Sequence, residues 1–228
     1  MRTYGCSGTL GDTYANLCIL YHVAKREPIV CRHYTIHTNW HGLIKQIYSL
    51  LPSIRVEFIY ERDITSPRIY SSFTPQRKLG KTLSSPSDWC FFPEFVFPDL
   101  SSSLPESYVV LNPQSGRPDQ GRILTQEIID EVIVSSRYPV VVLGTGRVSE
   151  RIRDDNVINL AGKTSLLEAM GIVSRAKNVT AFQGIMSMVA ASHRVPSDVY
   201  VRGVDVSNLA ERIPPEWMPY HKIQEKKL

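Results

Sequence analysis

The stretch from Leu160 to Pro196, LAGKTSLLEAMGIVSRAKNVTAFQGIMSMVAASHRVP, constrains the fold more than any other part of the chain. Gly162 and Lys163 make a loop. Thr164 or Ser165 can cap a helix, and Glu168 lies three residues after Ser165, the spacing of a capping box. Leu166, Leu167, Met170, Ile172 and Val173 give that helix an apolar side. Asn178–Phe182 is short and β-prone and predicts a strand. Gln183-Gly184 turns the chain into a second, almost wholly apolar helix, and Pro196 stops the run. A loop, helix, strand, turn and helix in this order belong to a parallel sheet, whose ligands bind outside the carboxyl ends of the strands.

The same alternation occurs in both halves. In the first, Thr3–Ser7 reads as a strand. Gly5, Gly8 and Gly11 read as a permissive turn, and Asp12 or Thr13 as the cap of a helix through Val23. Ile29–Cys31 and Ile54–Tyr60 are further strands around a helix at Trp40–Leu51. In the second, strands are expected at Tyr108–Asn112, Pro139–Leu143, Val157–Leu160, Asn178–Phe182 and, last, Val199–Val201. Helices are expected at Leu124–Ser135 and around Ser207–Ile213. The fold class is therefore α/β, with parallel sheets in two Rossmann-like βαβ domains facing a cleft. Residues 1–105 form one domain and 106–213 the other, while 214–228, with Pro214, Pro215 and Pro219, form a tail crossing back over the first.

No apolar run approaches the roughly 18–20 residues of a membrane span. Met1–Thr9 is polar and Gly-rich, so no signal peptide is expected. Cys6, Cys18, Cys31 and Cys90 have no CxxC spacing and read as thiols in a reducing compartment. The expected location is cytoplasmic, in the host if the chain is phage-encoded. Net charge is +4, and residues 1–105 carry 11 Lys and Arg against 8 Asp and Glu, so the excess lies mostly in the first half. Such a balance suits an anionic ligand without being a nucleic-acid signature. Within 64–104, Arg68, Arg77, Lys78 and Lys81 alternate with Tyr70, Phe73 and Trp89. That pattern fits acceptor contacts through phosphate gripping and base stacking, or an irregular loop whose aromatics fill the core. His33, His37 and His41 are four apart, but Thr35, Ile36 and Thr38 argue for a loop there. They read as polar loop residues or acceptor contacts, not as a metal site.

In the second half, Gln114–Arg122, Gly144–Arg147 and Gly162–Thr164 follow successive strands. They bring Arg117, Arg122, Arg147 and Lys163 together with small and hydroxyl residues, a combination suited to a diphosphate. Glu150 could take a ribose hydroxyl pair. There is no GxxxxGK[ST], no dinucleotide fingerprint with its distal acid, no GxSxG elbow and no DxD. In the first half Asp12 is the only acid of the Gly-rich loop. Opposite a diphosphate leaving group, it could deprotonate an acceptor hydroxyl.

These residues resemble the two-domain GT-B glycosyltransferases, most closely the ADP-heptose:lipopolysaccharide heptosyltransferase family. GTLGD at 8–12 is similar to that family's S-x-G-D loop, which implies Asp12 as catalytic base and Gly11 on the acceptor side. LNPQSGRPDQGR resembles the donor-side loop, implying Ser115 and either Arg122 or Arg117 at the diphosphate. GTGRVSE resembles the nucleoside-binding segment, implying Gly144, Thr145 and Glu150. AGKTSLLEAMGIVSRAKNV is similar to the G-x-[ST]-[SL]-x-E helix, implying Lys163 and Thr164. The family's next motif, roughly D-[ST]-G-x-x-H, reads Phe182-Gln183-Gly184-Ile185-Met186-Ser187 here. Gln183 and Gly184 keep the turn, while the acid and the histidine are absent.

The resemblance implies an inverting sugar transfer from a nucleotide-diphosphate sugar to a hydroxyl of an anionic acceptor. It implies no metal and no cofactor beyond that co-substrate. The acceptor is a hydroxymethylated DNA base, as in phage-type DNA modification, or a glycan. The rival reading is a non-catalytic nucleotide-sugar or nucleic-acid binding protein on the same fold.

Overall fold

The computed structural model describes residues 1–35, 38–60, 90–100, 103–115, 122–202 and 214–226. The chain divides into two compact units. One comprises Met1–Phe95 with Glu211–Glu216, the other Val96–Ala210 with Trp217–Leu228.

The first unit carries a sheet of parallel strands β1 (Arg2–Ser7), β2 (Ile29–Tyr34) and β3 (Ile54–Ile59), in the order β1-β2-β3 among the described residues. Helix α1 (Leu10–Arg26) packs its middle against this sheet, with Tyr14, Leu17, Cys18, Ile19 and Leu20 almost fully buried. A 3-10 turn at Thr38–Trp40 leads into α2 (His41–Tyr48), which buries Ile44, Ile47 and Tyr48. The sequence reading ends the second strand at Cys31, whereas β2 continues to Tyr34. Residues 32–34 pair with Gly5–Ser7 on one side and Glu57–Ile59 on the other. Ladder bonds on both edges hold extended a segment whose local composition suggests a loop.

Among the described residues the second unit holds six parallel strands: β4 (Val109–Asn112), β5 (Val140–Val142), β6 (Val157–Asn159), β7 (Val179–Phe182), β8 (Ser197–Arg202) and β9 (His221–Lys226). Their order is β6-β5-β4-β7-β8-β9. Counted along the chain this is 3-2-1-4-5-6, the doubly wound arrangement whose strand order reverses between β4 and β7. Helices α3 (Gln126–Ser135), α4 (Arg147–Arg151), α5 (Leu166–Val173) and α6 (Ile185–Ser192) intervene. Val140, Val141 and Val142 are wholly buried, as expected of a parallel strand covered on both faces.

One expectation is corrected: the last strand among the described residues is not Val199–Val201 but His221–Lys226. It adds β9 beside β8, in register from Ser197 with His221 to Arg202 with Lys226. The prolines that rule out a helix all precede His221, and the HKIQEK segment after them is free to extend. Trp217, fully buried in a 3-10 turn at Pro215–Tyr220, anchors the approach to β9. The helix expected around Ser207–Ile213 lies outside the described residues. All four cysteines are buried free thiols. No helix among the described residues is long and apolar enough to cross a membrane.

Candidate active-site loops

In the first unit, the candidate site is the turn between β1 and α1. Thr9, not Asp12 or Thr13, is the N-cap of α1, and Asp12 is the third residue of the helix. A carboxylate at that position can reach back to the N-cap, and this one does. Asp12 Oδ2 accepts the Thr9 N–H at 2.8 Å and the Thr9 hydroxyl at 3.2 Å. Oδ1 receives no hydrogen bond among the described residues. Of the three glycines read as one turn, only Gly8 makes it. Gly5 is a strand residue paired with Arg32, because its neighbours complete the β1–β2 ladder. Gly11 is inside the first turn of α1.

Gly8 has φ +112°, and a Cβ there would fall on the Asp12 side chain. The position therefore needs glycine both for its backbone and for the approach of the carboxylate. Gly8→Ala is expected to destabilise the first unit by about 1–3 kcal/mol, the usual scale of a non-glycine residue held in strained backbone. Urea unfolding would measure it, and an unchanged midpoint would refute the role given to this glycine.

His33 lies beneath this turn. It is fully buried on β2, with Nε2 3.3 Å from the Gly8 carbonyl and Nδ1 3.1 Å from the Tyr48 hydroxyl. Burial pulls its pKa down to about 4, against smaller opposing effects of the Gly8 carbonyl and the Asp12 charge. His41 stacks on Phe58 with ring centroids 3.8 Å apart. His37 lies outside the described residues, and among those described no group of three metal-ligating side chains occurs.

In the second unit, three loops gather at the carboxyl ends of β4, β5 and β6. After β4 the chain folds back on itself. Gln114 bridges Ile123, the Ser115 N–H donates to the Arg122 carbonyl at 3.0 Å, and Leu124 N–H donates to the Pro113 carbonyl at 2.8 Å. This sets Ser115 and Arg122 side by side; Arg117 lies outside the described residues. After β5, Gly144 and Gly146 have φ of +110° and +108°. A Cβ on Gly146 would come within 2.7 Å of the Gln114 amide, so the two loops touch there. Thr145, between them, is exposed.

Glu150 Oε1 accepts the Gly146 N–H at 3.3 Å and would be 3.7 Å from a Cβ on Gly162. Gly162 in turn donates its N–H to the Gly144 carbonyl at 2.9 Å. The expected residues Gly144, Glu150 and Gly162 are thus brought together, with Gln114, which residue patterns did not single out. Lys163 instead turns its ammonium to the Asn159 carbonyl at 2.8 Å.

Ser165, not Thr164, caps α5. Glu168 N–H donates to its hydroxyl at 3.3 Å, and its own N–H donates to Glu168 Oε2 at 2.7 Å. Thr164, half-buried, is the residue before that cap.

At the switch point beside β4, Gln183 donates its N–H to the Tyr200 carbonyl at 2.9 Å, and Gly184 caps α6. Ser187 stands where the resembled motif has histidine. Its hydroxyl is taken up locally, accepting the Gly184 N–H at 3.2 Å and lying 2.9 Å from the Gly184 carbonyl. Arg77, Lys78 and Lys81 lie outside the described residues.

No family model and no curated protein sequence matches the chain. Solved structures do. The glycosyltransferase family 9 protein from Veillonella parvula aligns over 99% of this chain and 86% of its own, with 11% identity and a TM-score of 0.62. E. coli ADP-heptose lipopolysaccharide heptosyltransferase II aligns over 100% of this chain and 91% of its own, with 13% identity and a TM-score of 0.59. The iron-containing dodecameric glycosyltransferase TibC from enterotoxigenic E. coli aligns over all of this chain, with 14% identity and a TM-score of 0.56. This chain spans only 63% of TibC. At such identities the likeness is one of fold: an α/β chain with parallel sheets, built as GT-B glycosyltransferases are built.

Proposed function

We propose that the protein is a glycosyltransferase. It moves a sugar from a nucleotide-diphosphate sugar to a hydroxyl of an anionic acceptor, with Asp12 as general base and inversion at the anomeric carbon. The observation that carries this reading is the state of the Asp12 carboxylate. One oxygen is tied to Thr9 at the start of α1, and the other has no hydrogen-bond partner among the described residues. A base must be held in place and still have an oxygen to receive a proton, and this arrangement meets both needs. As the acceptor oxygen attacks, its proton passes to Asp12 Oδ1, the bond from the anomeric carbon to the diphosphate breaks, and the diphosphate leaves with the electron pair.

The donor's diphosphate falls to the loops of the second unit. Ser115 and Arg122 flank the β4 turn, and Gly184 opens α6 across the switch point, where backbone N–H groups and a guanidinium stabilise the departing charge. Glu150 beside Gly162 suits a ribose hydroxyl pair. The reaction needs no metal in this reading, since arginine and backbone N–H groups take the role of a cation. ADP-sugars are the first donors to test, because E. coli heptosyltransferase WaaC is known with ADP and with ADP-2-deoxy-2-fluoro heptose. A lipopolysaccharide-type glycan and hydroxymethylated DNA are the two acceptors, and they separate by the mass of the product.

The absence of the motif's acid and histidine at 182–187 favours one second reading, a binding protein that has lost transfer. Thermal shift with ADP, UDP and GDP, followed by product mass analysis with the matching sugars, decides. A nucleotide present at 100 times its Kd is expected to add about 2.7 kcal/mol of stability. Stabilisation without any product would support the binding protein, and neither effect would refute both readings.

A further inference from the structure

We infer that His33, held by Tyr48, is a positioning residue for the base. It fixes from below the peptide group whose N–H, together with the Thr9 hydroxyl, holds the Asp12 carboxylate. The Gly8–Thr9 peptide presents its two polar atoms to two different partners. Its carbonyl faces His33 Nε2 at 3.3 Å, and its N–H donates to Asp12 Oδ2 at 2.8 Å.

The chemistry of the groups sets the direction of each bond. A carbonyl only accepts, so Nε2 carries the imidazole proton. The ring is neutral, because burial holds its pKa down to about 4. Nδ1 is therefore bare and accepts from the Tyr48 hydroxyl at 3.1 Å. Tyr48 keeps its proton, since burial above all, with nearby thiols, pushes its pKa up. The relay runs in one sense: Tyr48 O–H to His33 Nδ1, His33 Nε2–H to the Gly8 carbonyl, Thr9 N–H to Asp12. Each bond polarises the next, and all three side chains below the turn sit on regular elements: His33 on β2, Tyr48 on α2 and Asp12 on α1.

Gly8 itself cannot hold this peptide in place. Its φ of +112° is one that glycine alone adopts without strain, and glycine also leaves such a turn free to relax elsewhere. The Gly8 N–H, in the preceding peptide, donates to the Tyr34 carbonyl at 3.4 Å, so among the described residues the Gly8–Thr9 peptide itself is held by Asp12 and His33. His33 shares its face of the sheet with Cys31 and is paired across the ladder with Cys6, so the ring is aimed up at the turn by strand alternation.

This inference rests on the reading of Asp12 as the base, and its test separates the two. In His33→Leu, amide hydrogen exchange at Thr9 is expected to speed up about tenfold or more, while Gly5 in the middle of β1 keeps its protection. With the best donor, kcat is expected to fall about 10- to 100-fold with donor KM within about twofold. His33→Gln, whose amide N–H can replace Nε2–H, is expected to recover part of kcat. Should His33→Leu not fold, Tyr48→Phe removes a single hydroxyl and is expected to move Thr9 exchange and kcat in the same direction. Unchanged Thr9 exchange in a folded variant would overturn the inference, as would a rise in KM at constant kcat. If the wild-type protein transfers no sugar, the functional reading falls, and Thr9 exchange alone still decides whether His33 holds the peptide.

Discussion

Asp12→Asn is expected to lower sugar transfer by about 10²- to 10⁴-fold, the range of a lost general base, with nucleoside diphosphate binding unchanged. The substitution suits this site because it separates the two tasks of the side chain. An asparagine oxygen in the place of Oδ2 still accepts the Thr9 N–H, now 2.8 Å away, so the first turn of α1 stays capped. The amide nitrogen then takes the place of Oδ1, where it cannot receive a proton. If Asp12 served only as the capping-box partner of Thr9, the variant would keep near wild-type transfer. Asp12→Ala cannot make this distinction, since it also removes the acceptor of the Thr9 N–H and hydroxyl at the start of α1. A steady-state assay of Asp12→Asn against the wild type, with melting temperature as control, gives the answer. Equal rates would remove Asp12 from the mechanism.

The parallel α/β fold was legible because period and punctuation agreed. Val140–Val142 is an unbroken apolar run bounded by turn residues, and the spacing of Ser165 and Glu168 places the start of α5 to within one residue, with Thr164 the other candidate cap. What escaped local reading depends on partners distant in the chain. The HKIQEK segment of β9 has no strong strand signal, and it is a strand because β8 offers it an open edge. Likewise Arg32–Tyr34 extends only because it is paired on both sides.

The candidate site divides in the same way. Gly144, Glu150 and Gly162 could be chosen by their place after strands, and they converge. Gln114 could not, because its role is to fill the space left by Gly146, thirty-two residues later. His33 was visible as a residue type, but with β2 cut at Cys31 it read as part of a loop. Alternation carried two residues further would have put it on the buried face.

The second unit is expected to unfold in acid well above the pH at which its carboxylates protonate, because it holds two histidines, His221 buried and His193 half-buried, that resist a proton where they lie. Burial lowers the pKa of His193 to about 4, with a smaller push from Arg194, and burial alone lowers that of His221 to about 4. In each ring Nε2 is buried and has no hydrogen-bond partner among the described residues. A proton there would add both a charge and an unpaired N–H to the interior. In the unfolded chain both titrate near 6.5. Above pH 6.5 neither state binds the proton and stability does not depend on these groups. Below it the unfolded chain takes up protons that the folded unit refuses, so stability falls as pH drops from about 6.5 to 4.

The loss approaches about 3 kcal/mol per histidine, or about 6 kcal/mol for the pair, within the range of a whole domain's stability. Trp217, fully buried beside β9, is a fluorescence reporter for this unit. Its emission in a pH titration is expected to shift red between pH 6 and 4. His221→Gln keeps a polar group facing Ser197, whose hydroxyl lies 3.0 Å from Nδ1, and removes the titration. Combined with His193→Gln it is expected to move the midpoint down by about one pH unit or more. A midpoint unmoved in the double variant would mean that other groups drive acid unfolding. His33 acts in the first unit by the same rule, so the condition that melts β9 also weakens the support beneath Asp12.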